Sequence, residues 1–288
     1  MVSPLLDREE YIEQAYFFRI YRERLEDSLP SQEILASIVE EVLATTKLPM
    51  ALDFLKGEIL LTGKISEGMA RLSHYFTPFQ TFVISKAEED KSRFDQRIAL
   101  LVLEREAEYM AGTPTPAGLF IYQFECISRN RLGYDAGMTE VAADPLYDEN
   151  WRKWIMKARL RLGVTDFADM IYFRSEHYVE EQRRSTRNPN IQPPFPILFG
   201  AQEGRIAKAN RGKDPLFMFA ALQRQLGHPA VPRATPKSQR PVIHPALEER
   251  LQRLEKRLQL VEMETKGHLD ISQFLARPPG GDDQHVPT

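Results

Sequence analysis

From Arg8 to Arg184 the apolar residues return every three or four positions and nowhere alternate over a useful length. That regularity decides the fold class. A period of 3.6 lays one apolar stripe along a helix, whereas a half-buried strand needs a period of two. Arg8 to Asp27 places Tyr11, Ala15, Phe18, Tyr21 and Leu25 on one face, and Leu29–Pro30–Ser31 breaks it. Ser31 to Thr45 repeats the pattern with Ile34, Leu35, Ile38, Val42 and Leu43. Pro49 suits the first turn of a helix running to Leu61, and Gly63 stops it. Thr77–Pro78 is an N-cap and first-turn pair that opens a long helix toward Met110, hinged within Glu88–Lys91. Thr115–Pro116 repeats the device, with Gly133 expected at C′. Asp148 or Asn150 caps a helix that turns Trp151, Trp154, Ile155 and Ala158 inward and ends at Gly163. Thr165 is expected to cap a further helix reaching about Arg184. Ile59–Leu61 and Phe82–Ile84 would suit short strands, but their surroundings favour helix.

The texture changes after Arg184. STRNPNIQPPFPILF, residues 185–199, holds four prolines and no acid, so extended backbone is expected. Its Ile191, Phe195, Ile197, Leu198 and Phe199 are too apolar for a free linker, and the segment should lie along a groove on the body. Pro215 to Leu226 reads as a short helix with Asp214 as N-cap and Gly227 at C′. The expected organisation is an acidic helical body over 1–184 and a basic, Pro-rich wrapping segment with a short helix over 185–227. A flexible linker over 228–244, a coiled-coil helix over 245–275 and a disordered tail over 276–288 complete it. The fold class is all-α: a multi-helix, orthogonal or bundle-like body followed by a short C-terminal coiled coil.

Charge divides the chain the same way. Residues 1–181 carry 21 Lys+Arg against 31 Asp+Glu, residues 182–240 carry 11 against 2, and residues 241–288 carry 6 against 8. The basic segment centres on GAQEGRIAKANRGKD, residues 200–214, where Arg205, Lys208, Arg211 and Lys213 occur without an acid between them. It is not a phosphate loop. Seven residues rather than four separate Gly204 from Gly212–Lys213, and Asp214 stands where a metal-binding hydroxyl belongs. With Arg183, Arg184, Arg187 and Arg224 the four cations would make a stripe for nucleic acid, but no stacking aromatics alternate with them. The favoured reading docks the segment on its own acidic body, with its glycines allowing turns. An acidic protein or a small phosphate ligand is the remaining alternative.

The tail carries Leu247, Leu251, Leu254, Leu258 and Val261 at spacings of 4, 3, 4 and 3, a heptad seam. With Leu251 and Leu258 at a, Arg250 and Arg257 fall at g while Glu255 and Glu262 fall at e. In a parallel pair these g and e positions set arginine against glutamate. In an antiparallel pair like charges would meet, so a parallel homodimer is expected.

Chemistry is less visible. HExxH, GxSxG and GxGxxG are absent, and none of the six histidines follows a glutamate by three residues. Glu104 and Glu108 share a helix face and Glu125 lies on the next helix, so a buried carboxylate cluster, and with it a metalloenzyme, is the weakest of three readings. His74 and His177 read as surface histidines. The lone Cys126, inside LFIYQFECI, reads as a core residue. No cofactor is implied. The N-terminus lacks the basic start and apolar run of a secretory signal, and no stretch reaches the length of a membrane span, so a cytoplasmic location is expected. The leading expectation is a non-enzymatic scaffold or adaptor that dimerises through its tail. A nucleic-acid-associated protein is second.

Overall fold

The computed structural model describes residues 6–27, 29–89 and 94–233. They form thirteen helices and no strand. The seam residues Leu247, Arg250, Leu251, Leu254, Glu255, Arg257, Leu258, Val261 and Glu262 lie outside the described residues, as do 234–244, 276–288 and the hinge residue Lys91.

The first six helices are α1 (Arg8–Glu26), α2 (Ser31–Val39), α3 (Leu48–Thr62), α4 (Ile65–Arg71), α5 (Pro78–Ala87) and α6 (Gln96–Ala111). Helix α1 packs chiefly on α6, and α2 to α5 pack in chain order beside them. The turn after Val39 shortens α2 relative to the expected end at Thr45, because α1 side chains hold that turn. Glu13 accepts from the Leu43 amide at 2.9 Å and Glu10 from the Lys47 amide at 2.8 Å. Gly63 closes α3 at φ 74°, the left-handed conformation that glycine adopts without strain. Thr77 and Gln80 form a reciprocal capping box at the start of α5. The long helix expected from Thr77 to Met110 is two helices. Past Ala87, Glu88 turns back and accepts from the amides of Ile65 at 2.7 Å and Ser66 at 3.1 Å, capping the unforeseen α4, and Asp95 caps α6.

Helix α7 (Pro116–Asn130) is buried on every side from Gly118 to Ile127. A helix without a polar face must be enclosed by others, and the rest of the chain does this. Helices α8 (Tyr134–Ala142), α9 (Glu149–Arg161), α10 (Phe167–Tyr172), α11 (Glu176–Thr186), α12 (Ala201–Ala209) and α13 (Pro215–Leu226) follow. Phe120 meets Trp151, Trp154, Phe167 and Phe199, while Phe124 stacks on Phe167 at 4.0 Å and meets Phe219 and Tyr134. Gly133 is not the C′ residue of α7. Arg131 takes the left-handed φ of 56°, and Gly133, at φ 94°, is the N-cap of the unforeseen α8.

The helix expected from Thr165 to Arg184 is also divided. Asp166 caps α10, Ser175 caps α11, and the extended strap returns to the gap between them. Leu198 and Phe199 donate amides to Arg174 O at 2.9 and 3.1 Å, and Glu176 donates to Phe199 O at 3.0 Å. Phe199 is 1% exposed, wedged edge-on at 5.2 Å from Trp151 and 5.3 Å from Trp154. Beyond α13 the chain stays on the body as far as it is described. His228 is buried against Tyr122, and Asn130 donates to Pro232 O at 3.0 Å.

Phe199 therefore carries the strap. Replacing it with alanine should cost about 3–5 kcal/mol of folding stability, the usual loss for a buried phenylalanine. The half-buried Phe195, which only leans on Tyr178 and Arg174, should cost about 1 kcal/mol. Urea titrations of the two variants decide it, and equal losses would mean that the strap has no anchor.

Candidate functional site

The basic segment, expected to form turns, contains a helix, α12, packed over the gap between α10 and α11. Its contact is close because Gly204 faces Ser175: a Cβ there would stand 2.1 Å from Ser175 Oγ. Ser175 is itself buried. Its hydroxyl donates to Tyr172 O at 2.7 Å and accepts from the Tyr178 amide at 3.3 Å. Gly204 serves packing, and Gly212, at φ 68°, is the glycine that turns the chain.

Two of the four central cations face the body. The Lys208 ammonium sits 2.6 and 2.8 Å from the two oxygens of Glu181. Glu181 also accepts from the Tyr172 hydroxyl at 2.5 Å and lies 3.2 Å from His177 Nε2. The ammonium and hydroxyl hold the Glu181 carboxyl at about 2. Burial, and then the bond to Glu181, push the Tyr172 phenol up to about 12. Arg211 pairs with Asp169 at 2.5 Å and lies 4.0 Å above the Tyr172 ring. The Gly212 amide donates to Asp166 Oδ2 at 2.8 Å, and Asp214 caps α13.

The other cations point outward. Arg205 and Lys213 are exposed, as are Arg183, Arg184, Arg187 and Arg224. Arg183 donates to Ile191 O at 3.3 Å, and Arg184 lies 3.7 Å from Glu180 on its own helix. Aromatic rings that the sequence keeps apart from the cations meet them in space. Tyr172, Phe173 and Tyr178 form an edge-packed group, Phe195 stacks on Tyr178, and Arg174 lies 4.4 Å over Phe195. Tyr172, Phe173 and Tyr178 are close in sequence, and the strap brings Phe195 and α12 brings Arg211 to them.

The three glutamates proposed as a cluster each pair with a different arginine. Glu104 is 3.1 Å from Arg22, Glu108 is 2.9 Å from Arg105, and Glu125 is 2.5 Å from Arg129. Burial raises the Glu125 carboxyl and Arg129 lowers it in part. Among the described residues no group of three or more His, Cys, Asp or Glu could hold a metal ion. Cys126 is buried, and burial pushes its thiol up, away from a reactive thiolate. His74 is exposed, but His177 is not a surface residue: its side chain is only 12% exposed beside Glu181.

The described residues instead hold a buried polar junction that sequence reasoning misses. Gln123 of α7 donates to Glu106 of α6 at 2.8 Å and to Asp144, beyond α8, at 3.2 Å. Its oxygen accepts from the Tyr147 hydroxyl at 2.9 Å. Burial, and then the neighbouring Asp144, push the Glu106 carboxyl up to about 8. Asp144 is also raised by burial, opposed by the Leu146 amide and by Gln123. Two carboxyls in one dry site cannot both ionise cheaply. The glutamine among apolar neighbours in LFIYQFECI is the signal that points here, since a buried amide needs partners.

No family model, no curated protein and no solved structure matches this chain. No helix among the described residues is long and apolar enough to cross a membrane.

The Glu106 proton makes stability depend on pH. Its carboxyl titrates near 8 in the folded chain against an ordinary 4.5, so the folded state holds the proton more tightly. That stabilisation is complete below about 4.5, shrinks as pH rises, and is lost above about 8. Glu106→Gln keeps the shape and removes the charge. At pH 8.5 (about half a unit above the folded value) it should be more stable than the parent by roughly 2–4 kcal/mol, and the gap should close toward pH 4.5. Thermal melts across this range test it, and parallel pH profiles would refute the assignment.

Proposed function

We propose that the chain is a non-enzymatic, cytoplasmic scaffold or adaptor that self-associates through the helix of residues 245–275. The observation that carries this reading is the outer face of α3. Met50, Leu60 and Leu61 are 71%, 64% and 80% exposed, and Phe54, one turn from Met50, is 38% exposed. Apolar side chains left uncovered together along three turns of one helix suit a surface that meets another protein. The heptad leucines Leu247 to Leu258, with Arg250 and Arg257 opposite Glu255 and Glu262, supply the self-association.

Light scattering tests it. The full chain should have the molar mass of a dimer, and a chain ending at Val242 that of a monomer. Leu254→Asp in the full chain should act as the truncation does. A truncated chain that stays dimeric would rule out the tail as the contact.

One observation favours a second reading. Arg183, Arg184, Arg187, Arg205, Lys213 and Arg224 all point outward, a set that would neutralise phosphates along a polyanion. Under this reading, changing Arg205 and Lys213 to alanine lowers retention on single-stranded DNA at low salt. Changing Lys208 and Arg211, which face Glu181 and Asp169, should alter it less. Equal retention by all variants removes the nucleic-acid reading.

A further inference from the structure

Helices α4 and α5 pack side by side and leave a groove between them, open to solvent. Two hollows of about 370 and 360 Å³ adjoin along it and share Ala70, Thr81 and Ser85 as their common wall. Small side chains on both helices, Ala70, Thr81 and Ser85, leave this space open. At one end Phe76 and Phe82 make the floor apolar and Glu140 of α8 closes it. At the other end stand Glu67, Glu88 and Glu89.

The rim charges are unbalanced. Among the described residues the cations on it are Lys64, which lines the groove, and Lys86 on α5. Lys86 is held 2.6 Å from Glu89 and lies 5.7 Å over the Phe82 ring. Glu88 is fixed as the cap of α4 and has both oxygens engaged. Glu140 is half-buried and has no ion pair among the described residues, and burial raises its carboxyl. A carboxylate at the edge of an apolar floor, with no cation of its own, is complementary to a cation brought by another molecule. The groove follows the length of α5, ten residues or about 15 Å, which accommodates some three turns of helix.

We propose that this groove seats a basic amphipathic helix of a partner protein, laying small apolar residues along Ala70 and Thr81 and setting a lysine or arginine against Glu140. This is the helix-in-groove mode of recognition, with the acidic rim choosing the sign of the partner. It rests on the adaptor reading for its biological sense. It does not depend on the tail, so loss of the tail dimer would leave it standing.

The test uses the full chain and a fluorescent 15-residue helical peptide of alanine, leucine and lysine, beside a second peptide with glutamate at each lysine position. Anisotropy should show saturable binding of the lysine peptide at micromolar concentrations, weakening as salt is raised, and none of the glutamate peptide. Glu140→Gln should weaken binding about five- to tenfold, the loss of one partly buried charge pair. Thr81→Trp, which fills the groove at a half-exposed position, should abolish it, with an unchanged melting curve confirming the fold. If Thr81→Trp does not fold, Ser85→Arg provides the same block by charge. Equal binding of the two peptides, no saturable binding, or full affinity in Glu140→Gln and the blocked variant would each overturn the proposal.

Discussion

The burial of α7 is the constraint on which the described structure depends. Ten consecutive residues, Gly118 to Ile127, are removed from water, so every side of the helix must be met by another element. Tyr122 on one side donates to Val102 O of α6 at 2.7 Å. Phe120 and Phe124 on another gather α9, α10, α13 and the strap. Gln123 faces α6 and the loop after α8. Rings packed at these separations contribute through area and through edge-to-face geometry, and they fix the orientation of each helix that supplies one. The order of the chain then matters: α1 to α6 precede α7 and α8 to α13 follow it, and the two halves join through this core helix and through the packing of α5 on α8.

Within that core, the Gln123 junction gives definition at a cost in stability: only apolar residues at 106, 123 and 144 together would avoid burying the amide and the two carboxyls. The amide instead ties α6, α7 and Tyr147 into one arrangement, because only that arrangement satisfies its hydrogens and its oxygen together. The Glu106 proton is part of this arrangement. When it leaves, a second charge is buried beside Asp144, opposed by burial and by that carboxyl.

Periodicity and caps make the helical class legible, and most helix starts with it. Thr77, Thr115 and Asp148 cap as their side-chain chemistry requires, and Gly63 and Gly227 close helices in the left-handed conformation. Helix α8 escapes sequence reasoning because Gly133 begins it without a capping side chain, and two other missed helices share one physical origin. Helices α4 and α12 are seven and nine residues long, too short for a face to repeat convincingly, and distant partners hold them in place. Glu88 caps α4 from 22 and 23 residues away, and Ser175 receives α12 through Gly204. The break between α10 and α11 has one local mark, the Ser175 cap, and the strap residues Leu198 and Phe199 bond to it from more than twenty residues away. Among the candidate glutamates, spacing alone discloses the partners of Glu108 and Glu125, since Arg105 and Arg129 stand three and four residues from them. The partner of Glu104, Arg22, lies on another helix where no spacing can reach it.

Charge partition along the chain invites the view that the basic segment is held to the acidic body by electrostatics. The geometry argues for a different division of labour. Exposed or half-exposed ion pairs such as Lys208–Glu181 contribute about 0–1 kcal/mol each. Phe199, Ala207, Met218, Phe219 and Leu222 are all buried, and their transfer from water contributes more, about 1.5–3 kcal/mol for each of the larger side chains. The apolar residues therefore dock the segment, and the ion pairs set where it lands. Asp166, Asp169 and Glu181 receive the Gly212 amide, Arg211 and Lys208 in turn, which fixes the register of α12 along α10 and α11. Register needs only these few contacts. Arg205 and Lys213 take no part in these contacts and stand exposed to water.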